Sequence, residues 1–454
     1  MTKPRSGAAR AQAARARARA DRCQVPLDRS VPALVLKIGQ YPVHSGGVGV
    51  LRSLGRCGVP MYAVTEPGLP PAAVSRYCDT RFVSRATGRE QPADLIPGLL
   101  EAGQRIGRRA VVVPLDDESA VLTAHYREQL SEHFLLPDVA PGLPARLASK
   151  TGLFELCREH HVPTPATATP ASLEDLASFA AGVRFPVVVK NADPWQRRRH
   201  PVVPGTTVVN SAAALIELAA QAGDPLNLVV QEYLPGDQAQ DWISHLYCDA
   251  QSQSLMVLTA RKVRSWPPHA GLTAAAYAVY NPEIAALAER FCKEIGYSGI
   301  GDLDWRHDLR DGQYKLVDFN PRPGNQFRLF ENMAGVDVVR ALHLDLTGRE
   351  VPLAGEREGK RIVVEHIDLP ARLAYWRHDR RVRASGQVDR ERTDMPGYAG
   401  AATEFAWLAA DDPLPFLVMI PHALRMAARA VAARIGGRLA DRRQQNQERG
   451  RSCR

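Results

Sequence analysis

The chain has 454 residues, 45% hydrophobic and 24% charged, which is enough for two or three soluble domains with cores of their own. Its formal charge of +9 sits at the ends: residues 1–30 carry +6 and residues 425–454 carry +7, leaving the body from 31 to 424 at −4, so no specific nucleic-acid binding is expected of it. The longest uncharged stretch near the C-terminus is twelve residues, 413–424, too short for a bilayer span of about 20, and the seven scattered cysteines form no CxxC pair, which argues against a zinc site or a disulfide framework.

Residues 1–30 alternate Ala and Arg with no apolar face, so a disordered basic tail is expected. They lack the apolar core of a secretory signal, and cysteines of this kind suit a reducing cytosol; a cytoplasmic location is the expectation. A strand over 31–38, a glycine-containing turn, a helix over 48–57 and a strand over 59–64 make a β-α-β start. Gly46, Gly47 and Gly49 fall short of a dinucleotide fingerprint, because Val50, Leu51 and Arg52 follow with no third small residue; an NAD-dependent oxidoreductase is the weakest reading. The strand over 110–115 ends in Asp116, Asp117 and Glu118, at a carboxyl strand end where open α/β sheets place ligands.

A Pro-rich connector, 136–144, leads into helices over 149–160 and 173–181, then a strand over 185–190 that ends in Lys190. A polar loop follows, then a helix over 212–222 and strands over 228–232, 241–247 and 255–261, the pattern of an α+β domain with antiparallel sheets. Lys150 and Lys190 both stand at element boundaries, where side chains converge on clefts. Gln231, Glu232, Tyr233, Leu234 and Asp237 form a strand leaving into a turn, whose backbone can pair with an adenine edge. Arg261 and Lys262 end another strand and offer charge to an anion.

The segment 299–324 is the most informative. Asp302 and Asp304 share one face of a first strand, Asp318 and Asn320 one face of a second, and a turn at Asp311-Gly312 sets Asp304 opposite Asp318 and Asp302 opposite Asn320. Carboxylates placed so repel, and a hard divalent cation bound by oxygen ligands would relieve them. The other reading is a solvated hairpin with ordinary surface acids. Arg322, held between Pro321 and Pro323, can present a guanidinium to a phosphoryl oxygen.

SKTGLFEL around Lys150, FPVVVK ending at Lys190, VVQEYLPGD, TARKVRSWPP, GYSGIGDLDW and YKLVDFNPRPG, in this order, resemble the ATP-grasp superfamily, most closely its carboxylate–amine ligase-like branch, over about residues 31–350. The resemblance implies a mixed α/β and α+β chain: a Rossmann-like N-terminal domain (31–145), then a two-lobed ATP-grasp fold (146–350), with a C-terminal extension (351–424) and basic tails. It implies ATP and Mg²⁺ (with Mn²⁺ as an alternative) as cofactors. Lys150 and Lys190 would contact phosphates, Gln231 to Leu234 with Asp237 would hold adenine and ribose, and Asp304, Asp318 and Asn320 would hold the metal. Arg322, Arg261 and Lys190 would stabilise charge on the transferring phosphoryl group. The activity implied is phosphorylation of a small-molecule carboxylate, followed by attack of an amine on the acyl phosphate. The alternatives are a non-catalytic ATP-binding regulatory module and an ATP-dependent carboxylase. Two departures stand out: aspartates occupy positions 304 and 318 where the family often has glutamates, and the loop 192–206 carries Trp195 and three arginines, with Gly205 its only glycine.

Beyond 350, a strand over 361–366, a basic aromatic stretch, apolar segments at 404–408 and 413–420, and a last helix over 416–435 are expected. Arg425 and Arg429 share a face of that helix while Arg434 lies opposite, so a docked helix with a solvated end is favoured over weak contact of the basic tail with a membrane surface.

Overall fold

The computed structural model describes residues 25–428 apart from 42, 88, 194–202, 204, 222–225, 237, 269–270 and 385–401. Three sheets organise these residues. The first contains β1 (Ala33–Leu36), β2 (Met61–Thr65), β3 (Thr80–Val83), β4 (Ala110–Pro114) and β5 (Phe134–Leu135), all parallel in the order β3-β2-β1-β4-β5. Its central strands are continuous apolar runs because both faces are covered: Leu34, Leu36 and Val112 enter one core, Ala33, Val35 and Val111 another. The glycine-rich segment expected to be a turn is instead the first half of a helix, Ser45–Gly55. Glycine is needed there because a Cβ on Gly49 would lie 2.9 Å from the Phe327 ring.

The second sheet is small: β6 (Thr167–Ala168), β7 (Val187–Asn191), β8 (Thr207–Val209) and β9 (Leu228–Glu232), antiparallel in the order β6-β9-β7-β8. The third contains β10 (Ala239–Cys248), β11 (Ser254–Trp266), β12 (Leu272–Ala278), β13 (Gly299–Asp308), β14 (Gln313–Asn320), β15 (Lys360–Val363) and β16 (Ala402–Phe405), in the order β14-β13-β10-β11-β12-β15-β16. On one face Trp242, Leu303, Trp305 and Phe319 pack on helix Pro282–Glu294. On the other, Ile243, Tyr247 and Ala260 share a core with helix Val338–Leu346 and with residues of the first sheet, so the two units are joined by continuous apolar packing.

The mixed α/β and α+β class read from the sequence is the one found. Some local expectations are corrected. β11 runs on to Trp266, past the expected end at 261, and β12 was not anticipated. The expected strand over 361–366 stops at Val363, and the basic aromatic stretch belongs to a helix, Glu365–Ala384, whose buried Ala371 and Asp368 face β11. In the last expected helix, 414–428 are helical and the rest lies outside the described residues. Cys57 is disulfide-bonded, whereas Cys78, Cys157, Cys248 and Cys292 are free. Among the described residues no helix is long and apolar enough to cross a membrane.

The C-terminal extension is tied to the first unit by one buried cation. Arg52, 1% exposed, pairs with Asp412 at 3.0 Å and donates to the carbonyls of Ala406, Trp407 and Asp412. Asp412 also accepts from Ser75 Oγ and the Arg76 N–H. Arg52→Ala leaves a buried carboxylate uncompensated and should cost about 3–5 kcal/mol. Hydrogen exchange should then show early opening of residues 402–412; unchanged protection would show that the Arg56–Asp411 pair at 2.8 Å and the apolar packing hold them without Arg52.

Candidate active site

The hairpin β13–β14 places its acids as the sequence reading requires, by a different route. Near the turn the pairs are Asp308↔Gln313 and Trp305↔Leu316, one residue out of step with the expected register. A bulge between Asp304 and Trp305 absorbs Val317 as an extra residue, and Asp304↔Asp318 and Asp302↔Asn320 result. Two ammonium groups neutralise the facing carboxylates. Lys262 Nζ lies 2.7 Å from Asp304, and Lys150 Nζ makes a short ion pair with Asp318.

Lys150 reaches this point because it is the first residue of helix Lys150–Glu159, whose N-cap, Ser149, accepts from the Gly152 N–H. Burial opposes the charge on Asp318, yet Lys150 and Lys190 hold its carboxyl below the usual range. Lys190, near the end of β7, has no ion pair among the described residues; burial and the neighbouring Lys150 bring its ammonium down to about 8.

Lys190, Lys262, Asp304 and Asp318 line a cleft of about 570 Å³ between the small and large sheets, and Lys150 reaches Asp318 from beside it. Its walls bring together Lys190, Gln231, Glu232, Tyr233, Leu234, Asp304 and Asp318 from among the residues read from the sequence. Glu232 is engaged by Arg310 at 2.6 Å. Asp237 lies outside the described residues, as does most of the loop 192–206.

Arg261 is not brought to the cleft. It pairs across the ladder with Trp242, which pairs with Trp305, whereas Asp304 pairs with Ile243 and Ile243 with Ala260. Successive side chains alternate, so Arg261 points to the opposite face, where it is 6% exposed, and Lys262 faces the acids in its place. Lys262 was read only as charge offered beside Arg261, and Arg306, which pairs on the same face with Asp241 at 3.2 Å, was missed as a site residue. The sequence held the signal for Lys262, since Arg261 and Lys262 adjoin, but not the strand register that chooses between them.

Arg322 and Asn320 stand to one side of the cleft. Arg322 lies between sheets, 3.2 Å from Asp117 at the carboxyl end of the first sheet and 3.4 Å from Asp302 on β13. Its guanidinium also donates to Asn320 Oδ1 at 2.9 Å, so this amide oxygen is already engaged. Burial and Asp304 push the Asp302 carboxyl up. Gln326 and Asn320 donate to Asp302, and the Gly324 N–H donates to His245 Nε2, which keeps that nitrogen an acceptor; burial and the nearby cations depress the imidazole strongly. Gly324 has no room for a side chain, because a Cβ would meet Asp302 Oδ2 at 2.4 Å and His245 Nε2 at 2.7 Å.

The acids of the cleft form only part of a donor set for a metal ion. Among the described residues no group of three or more His, Cys, Asp or Glu side chains could hold one. Asp304, Asp318 and Asn320 offer two carboxylates and one amide, a partial set that water and nucleotide phosphates must complete. That suits Mg²⁺ carried with a nucleotide better than a resident structural ion.

A small antiparallel sheet facing a larger one across a cleft floored by acids and lysines, behind a parallel α/β unit, defines an ATP-grasp architecture. No protein-family model matches the chain. A D-aspartate ligase from Enterococcus faecium (strain Aus0004) is 26% identical over 251 residues, covering 51% of this chain and 58% of that relative, so the chain spans less than two thirds of the relative's length. The L-amino acid ligase of Bacillus licheniformis is similar in structure, with a TM-score of 0.54 at 15% identity over 74% of this chain and 79% of that one. The biotin carboxylase domain of the Hydrogenobacter thermophilus 2-oxoglutarate carboxylase, in complex with MgADP, ADP and bicarbonate, gives a TM-score of 0.54 at 15% identity over 73% of each chain. The likeness to these two structures shows that the chain has the ATP-grasp fold.

Competitive acetylation of the intact protein should give Lys190 a titration midpoint of about 8, against 10.5 for an ordinary lysine. Lys150→Ala should raise it, because the change removes a repelling ammonium and releases the Asp318 charge. A midpoint at the ordinary value in the unmodified protein would show that Lys190 is not desolvated.

Proposed function

We propose that the chain is an ATP-dependent carboxylate–amine ligase, which phosphorylates a substrate carboxylate and joins the resulting acyl group to an amine, releasing ADP and phosphate. The observation that carries this reading is the Asp304–Asp318 pair, held opposite across the hairpin and neutralised by two lysines at the floor of the cleft. The sequence relationship to a protein named as a D-aspartate ligase supports it.

In this reading the backbone of 231–234, with Asp237, holds the adenosine, and Lys150 and Lys190 take the phosphates. Asp304, Asp318 and Asn320 hold Mg²⁺, or Mn²⁺ in its place, which when bound supplies a Lewis acid to the phosphoryl oxygens. Lys150 and Lys262 neutralise the acids here, and both ammonium groups would be free for the nucleotide's phosphates when those carboxylates hold a divalent cation. Lys262 takes the role first assigned to Arg261. Arg322 faces the reacting carboxylate and the phosphoryl group it receives.

Arg322 and Asp117 also set the substrate class. A guanidinium and a carboxylate 3.2 Å apart, at the junction of the first and third sheets, match the carboxylate and ammonium of an amino acid. We therefore assign an amino acid to one of the two substrates. Burial pushes the Asp117 carboxyl up, which suits a group that exchanges its partner or takes a proton from an attacking ammonium.

The test is release of ADP and phosphate from Mg-ATP in the presence of a panel of amino acids as carboxylate and amine donors. Asp318→Asn should leave the fold intact and lower amino-acid-dependent turnover by about 100-fold or more. ATP turnover unchanged in the folded variant would remove the metal assignment. ATP binding with no release across the panel would favour a non-catalytic module, and turnover that requires bicarbonate rather than an amine would favour a carboxylase.

A further inference from the structure

We propose that the helix Glu365–Ala384 is a docking surface for an anionic lipid bilayer. The helix is held by one face only. Asp368 pairs with Arg264 at 2.8 Å, Tyr375 reaches Ser265 on β11, and Ala371 is fully buried. The other face carries Leu369, Leu373 and Trp376 at spacings of four and three, which is one helical stripe, and they are 75%, 47% and 51% exposed. The stripe has no covering residue among those described.

Charge selects the occupant. Between 369 and 384 the sequence has five arginines and one aspartate. Arg380 continues the stripe one turn beyond Trp376, its guanidinium carbon 4.6 Å from the centre of that ring, and the exposed Arg372 and Arg377 flank it on either side. A convex apolar stripe with tryptophan at its centre and arginines along both edges matches a headgroup boundary: leucines enter the acyl region, the indole sits at the interface, and the arginine stems lie along the apolar surface with their charges at the phosphates.

A second helical segment, 414–428, adds to the same flank. It shares a buried cluster with the first, in which Ile367 of one helix and Phe416 and Met419 of the other pack around Trp407. It leaves Leu417 and Leu424 56% and 65% exposed, and residues 425–454 carry +7 in sequence. The body from 31 to 424 carries −4 in sequence, so the arginines of this helix stand out from an otherwise acidic body.

The experiment is co-sedimentation of the full chain with vesicles of phosphatidylcholine alone and of phosphatidylcholine with about one third phosphatidylglycerol. Binding to the anionic vesicles alone, weakened by raising salt to about 0.5 M, is expected. Leu373→Glu with Trp376→Glu should weaken it at least about tenfold while the thermal unfolding transition stays in place. Arg377→Glu with Arg380→Glu keeps the apolar stripe and should abolish the preference for anionic lipid. Trp376→Phe should remove most of the fluorescence blue shift seen on adding vesicles. Failure of the unmodified chain to bind either vesicle overturns the proposal, as does undiminished binding by the Leu373/Trp376 variant, which would leave the terminal arginines as the sole attraction. Lipid-free self-association abolished by the same two substitutions also overturns it, by assigning the stripe to a second copy of the chain.

Discussion

Two carboxylates set opposite each other on a half-buried hairpin are the constraint around which this structure is arranged. At roughly 5 Å and an effective dielectric of about 20, Asp304 and Asp318 would repel by about 3 kcal/mol. The fold answers with one ammonium for each, and each ammonium comes from a different element. Lys262 is delivered by β11, two strands away in the same sheet; Lys150 is delivered by the start of a helix that reaches the hairpin from outside it. The register of β13 on β14, the phase of β11 and the docking of helix Lys150–Glu159 are therefore coupled through a single patch of charge. Ordinary surface acids would need none of this.

Arg322 does for the junction between sheets what the lysines do for the cleft. It stands between Asp117 of the first unit and Asp302 of the hairpin, and its surroundings are organised to keep it there. His245 is kept an acceptor at Nε2 by the Gly324 N–H, and the absence of a side chain on Gly324 lets Asp302 and His245 approach the backbone. One guanidinium with a carboxylate on either side can turn to an anionic guest without leaving an uncompensated charge, because each aspartate keeps other partners or sits where protonation is favoured. The acidic strand end at 116–118 was legible as a ligand-facing position in sequence; its pairing with Arg322, more than two hundred residues away, was not.

Sequence legibility followed the range of the interaction. Periodicity within one hairpin was enough to put Asp304 opposite Asp318, although the centre of symmetry assumed was wrong by half a residue near the turn and was restored by the bulge at Val317. Lys150, Lys190 and residues 231–234 were found because each closes or opens an element. Arg261 was misassigned because adjacent residues in a strand face opposite ways, and nothing local fixes which of them faces the acids. The helix Glu365–Ala384 was missed because Pro370 and a run of arginines mask a buried face made mainly of Ala371, Asp368 and Tyr375, residues that do not read as a hydrophobic stripe.

The same fold is found in an L-amino acid ligase and in a biotin carboxylase domain, so the architecture alone does not set the activity. What this chain adds is the charge state of its cleft. Asp304 and Asp318 are each already matched by a lysine, and Lys190 is desolvated enough to lose part of its charge near pH 8. A nucleotide arriving alone would have to draw Lys150 and Lys262 away from carboxylates that would then stand unpaired against each other. A nucleotide arriving with a divalent cation would meet a matched set: Asp304 and Asp318 would hold the cation, and Lys150 and Lys262 would be free for the phosphates. On the proposed reading of this cleft as a nucleotide site, it would discriminate against the free nucleotide, and the hairpin repulsion that shapes the fold would also couple metal binding to phosphate binding.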